Sequence, residues 1–343
     1  MQNPGAKAPL RVLLTGAGSI GRRHAENVRR LVPDARISCV CRSDASKTWA
    51  EAFGAQPLPS VEAALDSLVQ LVVVCSASSS HARDLELLMP VAQALYVEKP
   101  VVTTAAALQA LERALDAGWN KPSVVGCNLR YLGAVGKLKQ ALDQEAAGRC
   151  VHSSLRVGQW LPGWRPQRDW RDGYSAHRSQ GGGVIFDLVH ELDSAILLFG
   201  EIERGQAAAG SLSSLGLDAD DTAAITLLMR SGLPVQVLLD YVSRVPVREY
   251  VVTGDEATLN LDVIGRQLSV TGTGGRQALP TTDADWDMAG TYVAAMSELL
   301  GAMEGDGATR YGLRDALPTA RWMLQLESTA WRGRPVAGAK LAP

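Results

Sequence analysis

Three stretches of the 343-residue chain hold side chains whose types and spacing could do chemistry. The first is Gly16, Gly18 and Gly21 in the run LRVLLTGAGSIGRRH. Glycines at this spacing let a chain turn tightly after a strand, bring backbone up to a pyrophosphate and pack a helix close on its strand. The N–H groups of Ser19, Ile20 and Gly21 at the new helix start would face the anion. The second stretch is Glu98-Lys99-Pro100. Proline disfavours the helical region for its predecessor, so Lys99 is expected extended at a strand end, where an ammonium can donate to an oxygen or relay its proton. The third is Asp187 with His190. Three apart on a helix they are neighbours, and a carboxylate beside an imidazole orients and charge-tunes it for general-base work.

These residues need elements to hold them. The glycine turn lies between a Val- and Leu-rich strand and a helix from about Ile20 to Leu31. A second strand, Ala35 to Cys41, ends at Arg42 and Ser43, which suit the 2′-phosphate of NADP; Asp44 could instead reach the 2′-hydroxyl of NAD, and Arg42 could be an ordinary solvated charge. Helical patterns follow to Phe53 and around Val61 to Leu68. The continuous apolar run from Leu71 to Cys75 marks a parallel strand buried on both faces. Ser76, Ser78 and His81 come directly after it, where loops line a nucleotide crevice; they could equally cap the next helix. A strand at Ala94 to Val97, a helix at Ala105 to Ala117 and a strand at Ser123 to Gly126 complete the alternation. This predicts a Rossmann-type doubly wound parallel sheet over residues 1–127.

Residues 128–343 read as an α+β substrate-binding domain, a largely antiparallel open sheet with helices on one face. A helix from about Val135 to Ala146 leads into a strand at Val151 to Trp160, and five further strand-like segments lie between Thr222 and Thr271. Helices are expected at Asp287 to Glu304 and Leu313 to Trp331. Arg130 and an aromatic, arginine-rich loop with Trp164, Arg168 and Tyr174 are candidate substrate contacts; a solvated surface loop is the alternative. Gly181-Gly182-Gly183 would let another surface approach the next helix. That helix, read as Val184 to Gly200, places Ile185, Leu188, Val189, Leu192, Ile196 and Phe199 on one apolar stripe, with Asp187 and His190 on the far side.

A net charge of −2 gives no basic field, which argues against nucleic acid or an anionic membrane and for a small-molecule partner. No run of 18 apolar residues and no signal-peptide pattern is present in the sequence, so a cytoplasmic protein is expected. Five cysteines without a C-x-x-C pair argue against disulfides and a bound metal.

Taken in order, the glycine turn continuing into Arg23-His24, the Ser76 to His81 loop, Glu98-Lys99-Pro100, the triple glycine, Asp187 and His190 resemble the glucose–fructose oxidoreductase and inositol dehydrogenase family. The stretch from Leu161 to Asp193 looks most like members of bacterial surface-sugar metabolism. The resemblance implies hydride transfer between NAD(P), with NADP preferred, and a sugar, sugar nucleotide or cyclitol. It makes Lys99 and His190 the catalytic pair, Asp187 a helper that also meets substrate, and Glu98 and Lys99 neighbours of the cofactor. It also implies a homodimer or homotetramer built by pairing sheets. Two features depart from the family's pattern: Ala77 stands where proline is common, and Asp187 and His190 are three apart where four is usual. An NAD-dependent glycosidase and a non-catalytic nucleotide sensor are the alternative functions.

Overall fold

The computed structural model describes residues 8–65, 68–164, 167, 169–305 and 307–333. The chain divides into two compact units, residues 1–126 with 292–317 and residues 127–291 with 318–343. A single boundary after residue 127 does not describe the return of 292–317. That segment belongs with the first unit because Leu313 N donates to Ser123 Oγ, Thr309 Oγ1 to Ser123 O, and Val125 N to Tyr311 O at 2.6–3.0 Å.

In the first unit the elements are β1 (Arg11–Leu14), α1 (Ser19–Leu31), β2 (Arg36–Val40), α2 (Asp44–Phe53), β3 (Gln56–Leu58), β4 (Leu71–Val74), α3 (His81–Leu88), β5 (Ala94–Val97), α4 (Ala105–Asp116) and β6 (Ser123–Val125). The strands form one parallel sheet in the order β3-β2-β1-β4-β5-β6. β4 and β5 are buried at every position, as a parallel strand covered on both faces requires. The chain runs outward from β1 to β3, then restarts on the other side of β1 with β4. The carboxyl ends of β1 and β4 therefore flank the point where a nucleotide crevice opens. Two details differ from expectation. Among the described residues around Val61 to Leu68 the helical element is a 3₁₀ turn, Glu62–Ala64, because so short an apolar pattern does not meet the cost of helix nucleation; Asp66 and Ser67 lie outside the described residues. β3 carries Pro57, which an edge strand tolerates.

The second unit contributes α5 (Gly133–Asp143), β7 (Cys150–Gly158), α6 (Val184–Asp187), α7 (His190–Phe199), β8 (Ile202–Gly210), β9 (Thr222–Met229), β10 (Pro234–Asp240), β11 (Val247–Gly254), β12 (Thr258–Asp262), β13 (Gln267–Gly272) and β14 (Gly275–Ala278). The chain closes with α8 (Met288–Glu304), α9 (Leu313–Thr329) and β15 (Trp331–Arg332). The sheet has the order β14-β13-β12-β11-β7-β10-β9-β8-β15, antiparallel except where β7 meets β10 and β8 meets β15. Alternation decides the faces. Along β10, Val235, Val237 and Leu239 are buried while Pro234, Gln236 and Leu238 are exposed. The buried set joins Leu155, Ile225, Leu227, Tyr250 and Leu259 in one core with Leu138 of α5 and Leu192 and Ala195 of α7.

The expected single helix from Val184 to Gly200 is two pieces, α6 and α7, broken at Leu188 and Val189. Its polar side does not face water either: Asp187, His190, Glu191 and Asp193 are all buried. Among the described residues no helix is long and apolar enough to cross a membrane.

Candidate active site

The dinucleotide turn fits its expected cargo. A Cβ on Gly21 would lie 2.0 Å from Gly16 O, so helix and turn can meet only at glycine, while a Cβ on Gly18 would enter open space. No side chain caps α1 and no acid sits in its first turn, which leaves that helix start open to an anion. Thr15, which the sequence reading did not single out, ties the crevice together: its Oγ1 accepts the N–H groups of Cys75 and Ser76 at 3.1 and 3.2 Å. The ends of β1 and β4 are thus locked in one register.

The loop after β4 is fixed by side chains expected to meet the cofactor. Ser76 Oγ donates to Asp84 at 2.6 Å, and Ser78 is buried. His81 is 1% exposed, with Nδ1 2.8 Å from Pro100 O and Nε2 3.2 Å from Ser76 O. Its ring therefore braces the Ser76 loop to the turn behind Lys99. Burial pushes its pKa below the ordinary histidine value and outweighs the two carbonyl contacts. At the end of β2, Ser43 caps α2, accepting from Ser46 N at 3.2 Å, whereas Arg42 is exposed. Lys99 is half-buried directly after β5, its peptide to Pro100 is cis, and its N–H donates to Glu98 Oε2 at 3.3 Å. Glu98 Oε1 lies 2.7 Å from Nε2 of His24, a second residue that sequence pattern left unassigned.

In the second unit Asp187 ends α6 and His190 begins α7. Asp187 accepts three hydroxyls: Tyr174 at 2.5 Å on Oδ1, and Ser175 at 2.6 Å and Tyr241 at 3.1 Å on Oδ2. Three O–H donors thus converge on one carboxylate. The Tyr241 phenol is pushed well above its usual range, first by burial and then by the Asp187 charge, so it remains a donor. Trp164 meets the Tyr241 ring edge-on, with centroids 5.3 Å apart. Tyr174 and Trp164 thus build the wall around Asp187, while Arg168 lies outside the described residues.

The acids after His190 anchor its helix. Glu191 Oε1 is 2.8 Å from Arg248 Nε and accepts from Tyr250 at 3.3 Å; burial raises its pKa against the pull of Arg248. Asp193 takes a two-pronged bond from Arg130 at 2.7 and 2.9 Å and a third from Thr319 at 3.0 Å. The Arg130 guanidinium, a candidate substrate contact, is thereby engaged in fixing α7. The triple glycine serves the chain itself. A Cβ on Gly182 would lie 2.2, 2.7 and 2.8 Å from the carbonyl oxygens of Tyr174, Ser175 and His177, so the surface that approaches is the loop supplying the hydroxyls on Asp187.

Over residues 10–122 the chain matches the profile of the oxidoreductase family with an NAD-binding Rossmann fold, and over 135–260 that of the GFO/IDH/MocA C-terminal domain. The chain belongs to the GFO/IDH/MocA oxidoreductase family. This GFO/IDH/MocA oxidoreductase is 26% identical over 340 residues to the D-apiose dehydrogenase of Paraburkholderia graminis, an alignment covering 94% of this chain and 88% of the relative. It is 28% identical over 241 residues to the myo-inositol 2-dehydrogenase of Thermotoga maritima, covering 65% and 66%. Its fold is shared with the WlbA dehydrogenase of Chromobacterium violaceum, solved with NADH and UDP-GlcNAcA, at a TM-score of 0.80 and 17% identity over 95% of this chain and 94% of that one. The first unit of this oxidoreductase is accordingly a nucleotide-binding domain.

Proposed function

We propose that this oxidoreductase moves a hydride between NAD(P) and a hydroxyl-bearing carbon of a sugar, sugar nucleotide or cyclitol, with Lys99 and His190 as the catalytic pair. The observation that carries the reading is the dinucleotide turn with an uncapped helix start and, on the same sheet, a lysine fixed at the end of β5. Family membership and the sugar and cyclitol dehydrogenases among its relatives support the substrate class. When bound, NAD(P) supplies the hydride acceptor or donor. Backbone at Gly16, Gly18, Ser19, Ile20 and Gly21 would hold its pyrophosphate. His190 takes the hydroxyl proton, and the Lys99 ammonium donates to the same oxygen as charge develops there. Asp187 is a fixed negative charge before α7 that favours a positive imidazole during the transfer.

NADP is the proposed preference, because the Arg42 guanidinium is exposed beside the end of β2 and can make charge-assisted bonds to a 2′-phosphate. Titration of NADPH and NADH should show tighter NADPH binding that Arg42→Ala removes; an unchanged preference in that variant overturns the assignment. The protein is proposed to work in the cytoplasm as a homodimer or homotetramer.

The reaction is tested with purified protein, both cofactors and a panel of sugars, cyclitols and sugar nucleotides. Turnover is expected with at least one class, and Lys99→Met and His190→Ala should each lower kcat by roughly 10²–10⁴-fold with cofactor affinity near normal. Cleavage of a glycoside without cofactor turnover would favour the glycosidase, and full activity in either variant would remove that residue from the mechanism.

A further inference from the structure

His24 is wholly buried on α1, yet neither the pyrophosphate turn nor the proton transfer uses it. Its ring packs 4.4 Å from Tyr96 and 6.0 Å, edge-on, from Tyr292. Nε2 is bound to Glu98 Oε1 at 2.7 Å, while Nδ1 has no hydrogen-bond partner among the described residues. An imidazolium here would bury a second N–H without an acceptor, whereas a neutral ring protonated on Nε2 leaves only a lone pair at Nδ1. With Nδ1 unpartnered among the described residues, the ring N–H is placed on Nε2 and donates to Glu98 Oε1.

Burying that carboxylate is costly, and an apolar pair would fill the space more cheaply. The chain nevertheless makes room for it. A Cβ on Gly126 would stand 3.0–3.1 Å from the Glu98 carboxylate. Among the described residues, Lys99, Tyr292, Cys75 and His81 are further titratable groups near Glu98, and Arg23 lies 4.9 Å over the Tyr292 ring. Of these Lys99 shares a direct bond with it, through its own N–H.

We propose that His24 is a positioning residue: through Glu98 it fixes the Lys99 peptide at the end of β5 and keeps a negative charge beside the Lys99 side chain. The proposal rests on the reading of Lys99 as catalytic. With His24 lost, the Glu98 carboxylate loses the donor that holds its Oε1. Lys99 then loses both a fixed backbone and a neighbouring carboxylate that favours its ammonium.

The test uses the full chain and the variants His24→Leu, His24→Gln and Glu98→Gln; the glutamine at 24 restores an N–H donor and the one at 98 keeps shape without charge. Lysines carrying ¹³C-methyl groups are titrated by NMR, with the Lys99 signal assigned by Lys99→Arg. The Lys99 pKa should fall by about one unit in His24→Leu and Glu98→Gln and recover in His24→Gln. In turnover, kcat should fall roughly 10- to 100-fold in the first two, with a shifted pH profile, and return in His24→Gln. Should His24→Leu fail to fold, Glu98→Gln decides alone. An unaltered Lys99 titration and pH profile in a folded Glu98→Gln overturns the proposal. Wild-type kcat in Lys99→Met sinks the catalytic reading instead, and the titration still reports whether His24 and Glu98 act on Lys99.

Discussion

Asp187 shows what single residues do here. Its two oxygens accept from three hydroxyls, those of Tyr174, Ser175 and Tyr241. Replacing the carboxylate by an amide would set an NH₂ group against O–H donors that need acceptors, so at least one hydroxyl would lose its partner. Asp187→Asn is expected to lower stability by about 1–3 kcal/mol and to reduce kcat, whereas Tyr241→Phe removes one donor, keeps the ring and costs about 1 kcal/mol. Urea unfolding and steady-state kinetics of both variants check this, and an Asp187→Asn protein as stable as wild type would mean the hydroxyls have other acceptors. The sequence announced the acid and the imidazole by spacing. It could not announce Tyr241, which is 54 positions away and meets Asp187 only once β10 is in register. His24 escaped for a similar reason, since its partner Glu98 is 74 positions distant.

At the scale of elements, continuous apolar runs located β4 and β5 and alternation located β9 to β13, because period and burial follow directly from strand geometry. Pattern failed where polar residues are buried. The stretch from Val184 to Gly200 reads as one helix with an apolar stripe and a polar far side, but its acids are paired inside with Arg130, Arg248 and buried hydroxyls, so polarity there does not signal solvent. His81 is a further buried polar residue, and it links two loops. Its folded-state pKa lies below the ordinary value near 6.5, so between the two values the unfolded chain binds more proton than the native one. Stability from this group is full above the ordinary value and is lost as pH falls through that window. His81→Asn keeps a donor for Pro100 O but cannot titrate. The variant should be less stable at pH values above the window, by about 1–3 kcal/mol, and should lose less than wild type on acidification. Urea midpoints measured on either side of the window give both quantities; parallel losses in the two proteins would assign the acid sensitivity to other groups.

For the whole molecule, composition and length pointed to two units, while the return of residues 292–317 to the first unit depends on hydrogen bonds to Ser123 that no local pattern encodes. The proposed assembly belongs to this scale and follows from the sheet of the second unit. One face is closed by the core. Across the other runs a row of directly paired positions, Ala208, Ala224, Leu238, Arg156 and Glu249, of which the first four are exposed. Small side chains on two adjacent strands, Ala208 on β8 and Ala224 on β9, leave that part of the face flat, and Leu238 on β10, 40% exposed, rises beside them. A flat, partly apolar sheet face is suited to a second copy of itself, since a two-fold axis would set alanines against leucine and let Arg156 meet an acid. Light scattering at micromolar concentration should therefore give a dimer or tetramer mass, and Leu238→Glu, which places a charge where the copies meet, should lower that mass while leaving the circular dichroism spectrum unchanged. A wild-type monomer would refute the assembly outright. An oligomer indifferent to Leu238→Glu would place its interface on another surface, leaving this face to water.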